Sequence, residues 1–136
     1  MKQSSTFQCR VYHVDTDLYG VVWHGTYLDY FARARTEFLR EAGVCLTNLS
    51  KEAGIIFPVA QLKVDYYKPA VLDDLLLIRT FLTQVKPASL FFTQELSCET
   101  EPERLLCRGE IKVVCTNHTL APCALPLSLK ERLRDR

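Results

Sequence analysis

A chain of 136 residues suits one compact domain and is short for two, so residues 1–136 are read as a single unit. Apolar residues at 48% and charged residues at 24% exclude the polar, highly charged composition of a disordered chain. Lysine plus arginine, 17, against aspartate plus glutamate, 16, leaves a formal charge of +1; no global field exists to hold a polyanion, and a nucleic-acid partner is not expected.

Residues 7 to 14, Phe-Gln-Cys-Arg-Val-Tyr-His-Val, alternate imperfectly and are rich in β-branched and aromatic side chains, which predicts a first strand. From Tyr27 to Ala42 the apolar positions Leu28, Phe31, Ala32, Leu39 and Ala42 recur at helical intervals, and Gly43 follows where a helix C-cap favours glycine. This is the one long helix. Thr26 with Asp29 reads as its capping box, and Asp29 suits the positive end of the helix dipole. A shorter helical turn is predicted over Leu46 to Ala53.

After Gly54 the period becomes twofold: Ile56, Ala60, Leu62, Val64 and Tyr66 share one face, which predicts a long half-buried strand. Leu75 to Val85 is apolar on both faces, as a central strand is. Leu90, Phe92, Leu96 and Cys98, and then Leu105, Cys107, Gly109, Ile111, Val113 and Cys115, supply two more strands. The connections 68–74, 86–88 and 100–103 are short and carry proline, so the four consecutive strands are expected to pair with their sequence neighbours. Ser128 with Glu131 forms a second capping-box pattern, opening a short basic helix. Its Lys130, Arg132, Arg134 and Arg136, with Glu131 and Asp135 among them, read as a solvent-facing terminal helix.

A strand, a helix and then four strands predict an α+β architecture, an antiparallel sheet wrapped on one helix. One helix cannot cover such a sheet, so the uncovered edge or face is expected to meet another subunit in a homodimer or homotetramer. No apolar run approaches a bilayer span, and the first residues, Met-Lys-Gln-Ser-Ser-Thr, carry none at all; the expectation is a cytoplasmic protein with no stable membrane insertion. The cysteines at 9, 45, 98, 107, 115 and 123 form no Cys-x-x-Cys pair, and in a reducing compartment they are expected to be free thiols. His118 has no acidic or cysteine partner at ligand spacing, so no metal is expected.

Asp15-Thr-Asp-Leu-Tyr-Gly-Val-Val-Trp-His-Gly-Thr-Tyr27 joins the first strand to the helix and concentrates two carboxylates, two glycines, a histidine and aromatics. Backbone amides at a helix N-terminus point unpaired toward a ligand, and the dipole favours negative charge developing there. A carboxylate opposite them completes a two-part device: the amides polarise a carbonyl, and the carboxylate attacks it or activates water. A thioester suits this device, because its carbonyl is electrophilic and its thiolate leaves with little protonation. Spacing alone leaves two readings open. Asp-x-Asp before glycine equally makes an Asx-turn, and a lone histidine equally serves the surface or the core. Asp15 reads as a residue that holds the loop through backbone hydrogen bonds.

The run Val11-Tyr-His-Val-Asp-Thr-Asp-Leu-Tyr-Gly-Val-Val-Trp-His-Gly-Thr-Tyr-Leu-Asp-Tyr-Phe-Ala-Arg-Ala-Arg-Thr-Glu-Phe-Leu-Arg40 resembles the hotdog-fold 4-hydroxybenzoyl-CoA thioesterase family, in its acyl-CoA thioesterase branch associated with the Tol-Pal system. The resemblance continues through Val64-Asp-Tyr-Tyr-Lys-Pro-Ala70, Leu72-Asp-Asp74, Ser89-Leu-Phe-Phe-Thr-Gln94 and Ala124-Leu-Pro126. It implies a hotdog fold, hydrolysis of an acyl- or aroyl-CoA without a cofactor, Asp17 as nucleophile or general base, and the His24 amide polarising the thioester carbonyl while the imidazole assists. Related proteins meet the CoA nucleotide with a basic stretch near Lys86, which Pro87 and Ala88 dilute here. Arg35 and Glu37 match the family's Ala-Arg-x-Glu pattern and are expected as a solvated or interfacial pair. The chain departs from the branch at His13, Leu18-Tyr19, Trp23 and Ala32. These change the pocket wall, so the acyl group is not carried over. A non-catalytic acyl-CoA-binding protein and a hotdog dehydratase or hydratase are the competing readings.

Overall fold

In the computed structural model, residues 4–134 are described. Strand β1 (Ser4–Arg10) leads through a 3-10 turn (His13–Asp15) and a loop into α1 (Thr26–Glu41) and α2 (Leu46–Ala53). Strands β2 (Val59–Tyr66), β3 (Leu75–Lys86), β4 (Ser89–Cys98) and β5 (Glu101–Val114) follow, and α3 (Leu127–Arg134) ends the described chain. All pairings are antiparallel, in the order β1-β3-β4-β5-β2. The sheet holds α1 against one face, the hotdog arrangement expected above.

Helix α1 buries Tyr27, Tyr30, Phe31, Ala34 and Phe38, a stripe at intervals of three, one, three and four that faces the sheet. Opposite lie the alternate residues Leu76, Ile78, Thr80 and Leu82 of β3 and Leu90, Phe92, Gln94 and Leu96 of β4. The helix settles closely on β5, where the Phe31 ring stands 2.9 Å from the place a β-carbon at Gly109 would take. Gln94 is the buried polar hub between the layers. Its Nε2 donates to the Phe31 carbonyl and to Thr80 Oγ1, both at 2.9 Å, and its Oε1 accepts from Arg35 Nη1 at 2.9 Å. A buried amide with these partners costs little, whereas an unpaired one would cost about 1–3 kcal/mol.

The strand order corrects the expectation of sequential pairing. Strand β2 pairs with β5, not β3, and forms one edge of the sheet. Its connection to β3 must cross three strand spacings, roughly 14 Å, and the eight residues 67–74 can reach up to about 28 Å. Short in sequence is therefore long enough in space. Because β2 is an edge strand, Val59, Leu62 and Tyr66 are about half exposed, and Ile56 stands outside it in an isolated bridge to Thr116.

Two further expectations fail for local reasons. The first strand ends at Arg10, because the Asp15 carboxylate accepts the Tyr12 amide at 2.9 Å and turns residues 13–15 into a 3-10 turn. The terminal helix is not merely solvent-facing: Leu129 and Leu133, four apart, are buried in the core with Leu125, while the Arg132 guanidinium donates to the Gly43 carbonyl. Arg136 lies outside the described residues. Among the described residues, no helix is long and apolar enough to cross a membrane.

Candidate active site

The loop between β1 and α1 folds into a small hairpin. Asp17 N–H donates to Val21 O at 2.8 Å, Thr16 bridges Val22, and Trp23 N–H donates to Asp15 O at 3.0 Å. Gly20, at φ +79°, makes the tip. Asp17 Oδ1 accepts the amides of Tyr19 at 2.8 Å and Val21 at 3.4 Å. The Asx-turn is therefore real, but it occupies only one carboxylate oxygen; Oδ2 accepts no hydrogen bond among the described residues. Asp15 holds the loop through the Tyr12 amide, as expected.

The connection 67–74 braces this hairpin from below. Val22 N–H donates to Ala70 O at 2.9 Å, Val21 bridges Val71, and Ala70 N–H donates to the Tyr27 hydroxyl at 3.0 Å. Burial is the main cause that raises the Tyr27 phenol's pKa, and the Ala70 amide opposes it. Tyr30, fully buried, faces the Asp15 carboxylate without closing a hydrogen bond to it; burial first and that carboxylate second push its phenol well up.

Helix α1 begins one residue earlier than the predicted Tyr27, and its N-cap is Gly25 with no side-chain cap, so the Thr26–Asp29 capping box does not form. Thr26 is already helical, and its N–H donates to Trp23 O at 2.9 Å. What the missing side-chain cap leaves is useful. Among the described residues, the amides of His24 and Gly25 have no acceptor, and they sit where the helix dipole is positive. The His24 carbonyl accepts from the Tyr66 hydroxyl at 2.6 Å. The His24 imidazole is exposed and lies 4.6 Å, centroid to centroid, from the Trp23 ring.

Asp17 and His24 thus share one end of the molecule, at the tip and the base of the same hairpin, about 10 Å apart along the ladder. No hydrogen bond joins them. Lys86 is not brought to them within one protomer: it ends β3, and Leu75 at the start of that strand marks the hairpin's end of the sheet, roughly 36 Å away. Its ammonium stands 5.2 Å from the Phe91 ring centroid, in a groove lined also by Phe81, Lys130 and Leu133.

Other predicted residues find structural partners. Arg35 pairs with Gln94 and not with Glu37, because residues two apart diverge around a helix; burial lowers its pKa to about 10, and Glu37 pairs with Arg40 instead. His118 Nε2 lies 2.9 Å from Ser50 Oγ. The cysteines are free thiols, with Cys115 and Cys123 sulfurs 3.6 Å apart. Sequence reasoning missed Tyr66 and Tyr27, since a tyrosine in an alternating strand or on a helical stripe reads as packing, and nothing local announces its hydroxyl partner.

A curled antiparallel sheet on one helix, with an uncapped helix mouth beside a carboxylate turn, defines the hotdog class. The thioesterase-like superfamily model matches residues 11–133, and the chain belongs to that family. It is similar to acyl-CoA thioesterase YbgC of Haemophilus influenzae, 40% identical over 92% of this chain and 90% of that one. The Helicobacter pylori protein of the same name is 37% identical over 93% and 97%. Among solved structures, a 1,4-dihydroxy-2-naphthoyl-CoA thioesterase from Synechocystis superposes with a TM-score of 0.88 at 26% identity, covering 97% of this chain and 96% of that one.

Proposed function

We propose that this chain, acting as a single hotdog unit over residues 1–136, hydrolyses an acyl- or aroyl-CoA thioester to the free acid and CoA. The observation that carries the reading is the pair of amides at His24 and Gly25 without an acceptor among the described residues, on the same hairpin as a carboxylate held through one oxygen, with space between them for the acyl carbon and a water. The relatives' names support the same reaction class.

The thioester carbonyl oxygen takes the His24 amide as donor, and the helix dipole favours the charge it gains in the tetrahedral state. Asp17 removes a proton from water as the water oxygen bonds to the acyl carbon, or attacks that carbon itself to give an anhydride that water then opens. In both routes the carbon–sulfur bond breaks, CoA leaves as thiolate, and the net addition is one water. The exposed His24 imidazole assists at the same mouth. Cofactor and metal have no part in this scheme.

We assign a homodimer or homotetramer. Strand β2 presents an unpaired edge with exposed Val59, Leu62 and Tyr66, a surface suited to a second copy. In such an assembly Lys86, remote from its own Asp17, meets the phosphates of CoA bound at a neighbouring protomer. Free thiols and a CoA substrate fit the cytoplasm. The test is release of CoA thiol from a panel of acyl- and aroyl-CoAs. Turnover of at least one is expected; tight binding with no thiol released across the panel would make the chain a binding protein instead, and loss or gain of 2,3-unsaturation would make it a dehydratase or hydratase.

A further inference from the structure

The hydrogen bond from Tyr66 to the mouth of α1 has a chemical consequence. Among the peptide units there whose N–H has no acceptor among the described residues are the Trp23–His24 unit, whose N–H is that of His24, and the His24–Gly25 unit, whose N–H is that of Gly25. Each has its carbonyl engaged. Trp23 O accepts the Thr26 amide at 2.9 Å, a bond supplied by the helix itself. His24 O accepts the Tyr66 hydroxyl at 2.6 Å, a bond supplied from a different element, the end of β2. Drawing electron density onto an amide oxygen makes the N–H of the same unit a stronger donor, and it fixes the plane in which that N–H points.

We propose that Tyr66 is a positioning residue for thioester polarisation: its hydroxyl orients and polarises the His24–Gly25 peptide so that the Gly25 amide joins the His24 amide on the substrate carbonyl oxygen. The inference rests on the thioesterase reading above and extends it from one donor to two. Paired donors are what a tetrahedral oxyanion needs, since its oxygen gains lone-pair density in more than one direction.

The ring is held for this task. Tyr66 stands edge-to-face with the buried Tyr27 at 5.3 Å, and Tyr27 is itself pinned by the Ala70 amide. Backbone pairing of Tyr66 with Cys107, and of the next amide, Tyr67 N–H, with Leu106 O at 2.9 Å, anchors the strand end. Burial and the nearby Cys107 thiol raise the Tyr66 phenol's pKa, so the hydroxyl keeps the proton it donates. Its bond to the His24 carbonyl lies within one protomer and so does not depend on whether a second copy covers the β2 edge.

The test separates positioning from simple support. Tyr66→Phe keeps the ring and removes the donor; kcat is expected to fall about tenfold, less than for a direct oxyanion donor, with KM within twofold. The infrared carbonyl band of a 13C-labelled thioester bound to the slow Asp17→Asn variant reads polarisation directly. Binding is expected to shift that band down, and adding Tyr66→Phe to reverse much of the shift. If Tyr66→Phe fails to fold, 3-fluorotyrosine at position 66, a stronger donor of nearly the same shape, should move the band further down at a pH where it is protonated. Turnover by the parent chain with kcat within twofold in Tyr66→Phe, or a band indifferent to both replacements, overturns this inference alone. A parent chain that neither turns over nor binds any acyl-CoA overturns the thioesterase reading and this inference with it.

Discussion

The two ends of α1 are built on different terms. At its C-terminal end Phe38 and Leu39 enter a cluster with Leu82, Leu90, Phe92, Ile111 and Val113, and Leu125, Leu129 and Leu133 close over it. Apart from the Cys115 thiol, the buried side chains of that cluster are hydrocarbon, and α2 and α3 seal them. At the N-terminal end the cluster around Val11, Val22, Phe31, Leu76 and Ile78 includes the hydroxyl-bearing Tyr27 and Tyr30. Among the described residues no helix besides α1 covers it; a hairpin does, and it leaves Leu18 at 94% and Tyr19 at 85% exposed. One end spends its apolar residues on the fold. The other buries a core too, but also holds Leu18, Tyr19 and Trp23 outward, near two amides and one carboxylate oxygen, Asp17 Oδ2, that make no hydrogen bond among the described residues.

That division predicts opposite responses to substitution. The largest effect belongs to the open end. Asp17→Asn retains an oxygen that accepts the Tyr19 and Val21 amides, so the turn and the thermal midpoint are expected to hold, while removal of the base or nucleophile lowers kcat about a thousandfold. Thiol release beside a melting curve checks both halves; near-normal turnover by the folded variant would sink the assignment. At the sealed end Phe38→Ala deletes a fully buried ring in edge-to-face contact with Phe92 at 5.7 Å. It is expected to destabilise by about 3–5 kcal/mol in urea unfolding, with kcat per folded molecule unchanged.

The same contrast explains what could be read from the sequence. The sealed end was legible in part because burial writes itself as periodicity: the helical period of α1, the α2 span Leu46–Ala53 and the alternation of β4 and β5 appear as spacing. The face was not: of the expected α1 positions only Phe31 and Leu39 are buried and Ala32 is exposed, while β3, apolar on both faces in sequence, buries alternate residues only. The place of β2 did not, since strand order depends on where an eight-residue connection travels and no local pattern records that path. Leu129 and Leu133 were visible, but the surrounding charges hid their burial. At the open end, Asp17 and His24 stood out only through family resemblance, because an Asx-turn aspartate and a catalytic one share the same spacing, and the proposed function gives both roles to Asp17. Tyr66 stayed hidden, since its partner is a backbone carbonyl 42 positions away.

Each cluster also holds one buried thiol, and this gives a smaller effect common to both ends. Burial pushes Cys107 and Cys115 from about 9 up to about 12, with Asp65 adding to the first and Cys123 to the second. A folded pKa above the unfolded one stabilises at low pH: the contribution is complete below pH 9 and is lost as pH rises toward 12. Melting temperature is therefore expected to decline across that window, and Cys107→Ala or Cys115→Ala to flatten the decline relative to its own value at pH 7. An equally steep decline in both variants would remove the thiols from the account.

The smallest expected change in stability tests the comparison most sharply. Trp23 is the largest side chain at the open end, 51% exposed, and its ring occupies the space above Gly25 where a β-carbon would stand 2.0 Å away. In a core, truncating such a residue would cost about 3–5 kcal/mol. Here it rests on the helix mouth with one face in solvent, so Trp23→Ala is expected to shift stability by no more than about 0.5 kcal/mol. On the proposed function its effect should fall on the substrate, as a KM raised severalfold with kcat nearly kept, because the indole lies against Gly25 next to the two amides and is not one of the proposed donors. A large loss of stability would make the indole part of the sealed framework and erase the distinction between the two ends. A loss confined to kcat would move Trp23 from the wall of the pocket to the reacting atoms.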